Sequence, residues 1–349
     1  MVSKRDDEES LLPTSAKLTV PQKRHAAQSG QSSFQFKVYV ITSMTILWTG
    51  YTLLVRHTRS TTSKENMYSA TSVVCLAETI KFFIAFLLLS HDHNHNMNEV
   101  IITVKRDFIN KPMDLLKMSV PSITYALQNN LDFVALSNLS AGVYQVTTQL
   151  KVVTTALFMM AFLGRKFSKT RWVAIFMLFA GVAAVQLNNI DQNSAAGRPT
   201  ENPVIGLVAV LATCVTAGFA GVYFEMMLKD GTPTSLWIRN MQMYFCGILS
   251  TFVGVAVKDG AQIQEKGFFY GYNAEVWAIV LSLSVGGIYI SLVMKYLDNL
   301  HKSFASSISI ILVVLLSVML FENVTLGLFF VFGSVIVCGA VVLYNSVPE

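Results

Sequence analysis

The chain has 349 residues, of which 53% are hydrophobic and 13% charged, with a mean hydropathy of +0.50. Soluble globular proteins carry about 25% charged residues, so a pair of soluble domains is excluded. Its 20 Gly, 8 Pro and 4 Cys exclude collagenous, disordered and disulfide-stapled chains as well. The net charge of +5 reads as membrane topology, not as a nucleic-acid footprint. The expectation is an integral membrane protein in contact with the lipid bilayer, with no nucleic-acid partner.

Residues 1–37 mix Lys4, Arg5, Lys17, Lys23 and Arg24 with Asp6, Asp7, Glu8 and Glu9 and have no apolar core. They read as a disordered tail, neither signal nor transit peptide. Within them, Asp7-Glu-Glu-Ser-Leu-Leu has the form of an acidic dileucine sorting signal. Ten apolar runs follow, at about 38–55, 67–90, 118–137, 141–163, 172–188, 204–228, 236–257, 275–297, 303–321 and 326–344. A membrane-spanning helix needs about 20 residues, and helices keep backbone groups satisfied where there is no water. With the N-terminus in the cytosol, Lys and Arg divide 16 to six between the cytosolic connections and the opposite side. This places both termini, including 346–349, in the cytosol. The polar linker 189–203 separates a first half, 38–188, from a second, 204–345, with five spans each. An odd number per half sets the halves in opposite orientation, the inverted repeat of many transporters. The fold class expected is an all-α polytopic membrane protein with ten transmembrane helices in two inverted five-helix halves.

Most residues in these spans are read as packing. Gly218, Gly221, Gly286 and Gly287 are assigned to close helix contact. Cys75, Cys214, Cys246 and Cys338 are assigned to reduced packing positions. Ionisable groups stand apart, because a charge at the bilayer centre costs about 2.5–3.5 kcal/mol on insertion scales. Tyr125, Gln128, Asn129 and Asp132 share one face of the third span, and Tyr144, Thr148, Lys151 and Thr155 one stripe of the fourth. Only Asn138 to Ser140 separates the two, so they are expected to be antiparallel neighbours with facing stripes. Lys151 and Asp132 could form an ion pair, or the stripes could line a wet cavity.

The second half adds Arg239, Asn240 and Tyr244, then Lys295 and Lys302 around the turn between spans eight and nine, with Ser303, Ser306 and Ser307 on one face. Aromatics and amides stack on and hydrogen-bond a nucleobase, and lysines are point charges for phosphate. The set suits an anionic, nucleotide-like ligand. Glu78 and Lys81 have the spacing of an intrahelical pair, serving structure or gating, and Glu225 is read as lacking a local partner. His91, His93 and His95 are assigned to a solvated loop, with no metal site. The glycosylation acceptors at Asn138 and Asn323 sit in loops too tight for easy modification.

The segments VPSITYALQNN (120–130), YQVTTQLK (144–151), GFAGVYFE (218–225), WIRNMQ (237–242), GFFYGY (267–272) and KYLDN (295–299) carry a strong resemblance to the Golgi nucleotide-sugar transporters. The branch is the one that holds the CMP-sialic acid, UDP-galactose and UDP-N-acetylglucosamine carriers. The resemblance runs over about 38–345 and implies a drug/metabolite transporter-like fold in the Golgi membrane, an antiporter supplying glycosylation, with no cofactor. It implies that a nucleotide sugar enters as the nucleoside monophosphate leaves. By matching to the CMP-sialic acid carriers, it implicates Gln128, Asn129, Tyr144, Asn240 and Tyr244 in holding the nucleotide, and Lys151 and Lys302 in facing the phosphate. Tyr144 and Tyr244 look like the CMP-sialic acid branch, whereas KVVTTALF (151–158) and SSISII (306–311) look like the UDP-sugar members. The sugar is left open among the three.

Competing readings are a polytopic Golgi glycosyltransferase and a scaffold for transferases. The first wants an acidic pair in a sizeable luminal loop, and buried lysines argue against the second as the sole role. A carrier rather than an enzyme is therefore expected, with a second copy of the chain or glycosyltransferases as candidate partners.

Overall fold

A computed structural model describes residues 34–139, 141–187, 202–320 and 327–346. The tail with its dileucine, most of the 189–203 linker and Asn323 lie outside the described residues.

Among the described residues the chain is helical without strands. Helix α1 covers Phe34–Thr61 and α2 Ala70–Asp92, followed by the short α3, Met97–Val104. Next come α4, Pro112–Asn138, α5, Ala141–Thr147, α6, Lys151–Leu163, and α7, Lys169–Leu187. The second part holds α8, Pro203–Leu228, α9, Leu236–Gly254, the short α10, Gly260–Lys266, α11, Ala274–Tyr296, α12, Asn299–Leu320, and α13, Leu328–Ser346. Among the described residues, seven helices are long and apolar enough to cross a membrane. The expected fourth span is broken, since α5 and α6 are joined by a single 3₁₀ turn at Thr148–Leu150. The expected third and fifth spans lie in α4 and α7.

Local chemistry sets the helix ends. Ser69, Asn202, Ser235 and Asn273 each accept a backbone N–H in the first turn of α2, α8, α9 and α11. Pro203 supplies the first residue of α8, where its missing N–H is no loss. Gly164, at φ +62°, closes α6 in the left-handed conformation that glycine adopts without strain.

Helix α1 packs on α11 and α12, and α8 packs on α4 and α6. Helix α2 lies against α9 and α11, α9 also meets α4, and α7 lies along α13. The third and fourth spans face each other at their polar stripes, where Tyr144 hydrogen-bonds Asp132 and Asp132 neighbours Lys151. Over most of its length α4 runs along α8 and α9, because α8 packs against both α4 and α6, with Gly218 at the crossing with α6. The glycines divide too. A Cβ on Gly218, Gly221 or Gly287 would collide with a neighbouring span, whereas one on Gly286 would meet nothing within 4 Å.

The largest core joins Val152, Met159, Ile175, Leu178, Phe304, Phe330 and Tyr344 across α6, α7, α12 and α13. Phe83, Leu87, Phe252 and Phe332 point outward, as befits a surface solvated by lipid. His93 sits at the end of α2, its ring bonding to the Leu89 carbonyl at 2.9 Å and to Thr103 Oγ1 at 3.3 Å.

Candidate functional site

The sequence-selected polar groups fall into three neighbourhoods, each joining residues from both halves of the chain. The first surrounds the broken fourth span. A 3₁₀ turn tightens the chain directly before Lys151, which is exposed at the first position of α6. Asp132 of α4 and Cys214 of α8 are its ionisable neighbours, and they also flank Tyr144. Cys214 Sγ donates to the carbonyls of Thr147 and Thr148 at 3.6 Å, and Thr154 Oγ1 donates to the Cys214 carbonyl at 2.7 Å. These bonds clamp the break in span four to α8. Asp132 Oδ1 and Gln128 Oε1 are buried without a hydrogen-bond partner among the described residues. The side chain of Asn129 lies outside them.

Lys302, in the first turn of α12, belongs to the same neighbourhood. Its charged neighbours are Lys151 from the first half and Glu225 from α8. Among the described residues neither Lys151 nor Lys302 forms a salt bridge or a side-chain hydrogen bond. Two like charges are thus held near each other inside the membrane-spanning part.

The second neighbourhood is a buried cluster between α2 and α9. Lys81 Nζ lies 2.5 Å from Glu78 Oε1 and 4.8 Å from the centre of the Tyr244 ring. Tyr244 is 1% exposed, and its hydroxyl donates to the Gly287 carbonyl at 3.4 Å. Glu78 is a charged neighbour of both Tyr125 and Tyr244. Asn240 is fully buried; its Nδ2 donates to Ser291 Oγ at 2.8 Å, while its Oδ1 has no partner among the described residues. The Glu78–Lys81 pair is therefore formed and is also packed against the second half. Ser291, which orients Asn240, carried no signal in the sequence, being one serine among many in an apolar helix.

The third neighbourhood lies at the other end of α8. Glu225 was expected to lack a local partner, and this is corrected. Its Oε1 is 2.8 Å from Lys229 Nζ, one helical turn on, and its Oε2 accepts the Asn299 N–H at 2.8 Å. The i, i+4 spacing that gives the first contact was already visible in the sequence. Lys295 donates to the Leu228 carbonyl at 2.6 Å, satisfying an orphan group at the end of α8. Arg239 meets Asp230 at 2.6 Å and Asp114 at 3.4 Å. Lys295 and Arg239 are thus engaged away from the Lys151–Lys302 pair.

At the turn into α12, Asp298 Oδ1 accepts both the backbone N–H and the ring N–H of His301, at 2.8 and 2.7 Å. Burial alone would raise the Asp298 carboxyl, but the hydrogen bonds and charge of His301 outweigh it and hold the group at about 2. On the α3 side, the Arg106 guanidinium bonded to Asp107 overcomes burial and holds that carboxyl below the ordinary range, with help from Lys111.

Comparison with known proteins gives a consistent result. The backbone superposes on a solved crystal structure with a TM-score of 0.63 at 12% identity, covering 90% of this chain and 98% of that one, which speaks for the fold alone. UDP-galactose translocator 1 of Caenorhabditis elegans is 56% identical over 346 residues, 99% of this chain and 97% of its own length. The UDP-N-acetylglucosamine transporter of Rattus norvegicus is 39% identical over 302 residues, 86% of this chain and 92% of its own. A UDP-galactose/UDP-N-acetylglucosamine transporter of C. elegans is 35% identical over 337 residues, 97% of this chain and 90% of its own. These relatives are all named for carriage, and none of these names supports the transferase or scaffold reading. Residues 32–345 match the description of the nucleotide-sugar transporters, and the chain belongs to that family of carriers, not of enzymes.

Proposed function

We propose that the chain carries UDP-galactose, and with it UDP-N-acetylglucosamine, from the cytosol into the Golgi lumen in exchange for UMP. The observation that carries this reading is the pair Lys151 and Lys302: two ammonium groups from opposite halves, near each other and without a carboxylate bond among the described residues. Holding two cations there is unfavourable unless an anion joins them, and the phosphate of a nucleotide is such an anion. The uridine sugars are preferred over CMP-sialic acid because relatives at 56% and 35% identity are named for them.

In this reading ten spans form two inverted halves with both termini cytosolic. The packing pattern supports it: moving every span on by five turns the α1 contacts with α11 and α12 into the α8 contacts with α4 and α6. The same shift turns α2 on α11 into α9 on α4, while the pairs α2–α9 and α7–α13 map onto themselves. Tyr125, Gln128, Asn129, Tyr144, Asn240 and Tyr244 hold the base and ribose around the two lysines. Transport proceeds by rocking of the halves about this site.

The test is exchange in liposomes holding the purified protein. Labelled UDP-galactose should accumulate when UMP is loaded inside and much less when the vesicles are empty. Equal uptake with and without internal UMP would refute exchange, and stimulation by internal CMP alone would move the substrate to the CMP-sialic acid class.

A further inference from the structure

Glu225 is 0% exposed, a full carboxylate in the interior of a helix pair. Such a charge costs several kcal/mol unless every oxygen is engaged. A residue needed only to fill space would be apolar. Its two oxygens go to separate places. One takes Lys229 from its own helix, and the other takes the N–H of Asn299, the first residue of α12.

The same short turn is fastened at four further points. Lys229 also donates to the Leu297 carbonyl, and Lys295 reaches back to the Leu228 carbonyl at 2.6 Å. The Asn299 side chain lies against Gly221, one turn before Glu225, where a Cβ would collide with it. Asp298 caps another first-turn donor, His301 N–H, at 2.8 Å. The first N–H groups of a helix have no partner within it, so whatever holds them decides where the first turn points. That turn presents Lys302, three residues beyond Asn299.

We infer that Glu225 is the positioning residue for Lys302: by gripping the start of α12 from α8, it aims the lysine that is to meet the phosphate. Glu225 is also the neighbouring negative charge of Lys302, opposing the repulsion from Lys151. It therefore serves both the direction and the charge of that lysine. The inference rests on the phosphate role given to Lys302 above.

The experiment compares competition by UMP and by uridine against labelled UDP-galactose in liposomes, for wild type, Lys302→Ala, Glu225→Ala, Glu225→Gln and the double variant Glu225→Ala/Lys302→Ala. Uridine lacks the phosphate, so only effects passing through Lys302 separate the two competitors. Glu225→Ala should weaken UMP by about tenfold or more, as loss of a charge-assisted bond implies, and uridine by about twofold at most. Glu225→Gln keeps an oxygen for Asn299 and should recover most of the UMP affinity. The double variant should be no weaker than Lys302→Ala alone, since residues acting as a unit are not additive.

Equal losses for UMP and uridine, or additive losses in the double variant, would overturn the positioning role. If Lys302→Ala itself leaves UMP unchanged, the phosphate assignment fails first and the inference with it. Should Glu225→Ala not insert, Glu225→Asp carries the test. It withdraws the oxygen by about one C–C bond and should give the same phosphate-selective loss at smaller size. An unchanged UMP/uridine ratio in that variant would refute the proposal.

Discussion

Gly218→Ala probes the crossing on which the geometry at Lys151 depends. A Cβ there would stand 2.7 Å from Thr154 Oγ1, 3.0 Å from the Thr154 carbonyl carbon and 3.0 Å from the Thr155 nitrogen, where ordinary contact begins at 3.4 Å. Two of these atoms are backbone, so α6 must retreat from α8 by about 0.4 Å, the difference between 3.4 and 3.0 Å. The hydroxyl cannot simply turn aside, because it donates to the Cys214 carbonyl at 2.7 Å. Overpacking of this kind costs about 1–3 kcal/mol, partly offset by about 1 kcal/mol from replacing glycine in a helix. The net expectation is a loss of up to about 2 kcal/mol. Because Lys151 precedes Thr154 by less than one turn, the shift carries the ammonium with it, and exchange should fall about fivefold or more. Gly286→Ala is the internal control, since its Cβ meets nothing within 4 Å, and it should be neutral or slightly stabilising. Thermal unfolding in detergent and UDP-galactose/UMP exchange in liposomes read both variants. A Gly218→Ala protein with the unfolding midpoint and exchange rate of wild type would refute the close-crossing argument.

Lys151→Ala should abolish exchange while leaving membrane insertion and thermal stability intact, because no salt bridge of the described residues is lost; normal exchange would sink the phosphate assignment. Tyr244→Ala should weaken UMP competition by about 1–3 kcal/mol through lost stacking and release Lys81 from the ring 4.8 Å away, whereas Tyr244→Phe should lose only the hydroxyl's bonds, to the Gly287 carbonyl at 3.4 Å and to Ser291. The pH dependence has a definite sign. Asp298 is held at about 2, below the ordinary 3.8, so its contribution to stability is complete above about pH 4 and vanishes as pH falls through 2; Asp107, also lowered, acts in the same direction. Thermal midpoints should therefore decline below about pH 4, and Asp298→Asn should flatten that decline.

The helices were legible because length and hydropathy dictate them: the runs at 67–90, 204–228 and 275–297 lie almost residue for residue in α2, α8 and α11. The Glu78–Lys81 contact followed from spacing along one helix. Glu225–Lys229 had the same legibility, but its meaning did not, since the second oxygen reaches Asn299 across 74 positions of sequence. The facing of the third and fourth spans was legible at Asp132, Tyr144 and Lys151 but not along the rest of the helices, for a related reason. Adjacency in the chain suggested adjacency in space, yet the small residues of α8 admit closer packing and draw both helices onto it. The engaged partners of Lys295 and Arg239 were likewise hidden, being a carbonyl on α8 and carboxylates in other segments. Periodicity within a helix can be read from sequence, whereas the choice among several apolar faces is made by shape.

The two lysines bear on coupling as well as on binding. In the proposed exchange, an empty carrier that rocks must move both ammonium groups through a closed, poorly hydrated state. At about 2.5–3.5 kcal/mol for each charge, the pair opposes that step by up to about 5–7 kcal/mol, a factor of roughly 10³ to 10⁵ in rate. A bound phosphate removes most of this penalty by joining the two charges. Each lysine has one carboxylate neighbour to which it is not bonded, Asp132 for Lys151 and Glu225 for Lys302, and Glu225 is itself paired with Lys229. The uncompensated charge is therefore shared by the two halves, and both lysines hold an empty carrier back. On this argument, removing Lys151 and removing Lys302 should act alike. Either removal weakens the hold on the phosphate and leaves a single ammonium to resist reorientation of the empty carrier, so binding and coupling should weaken together.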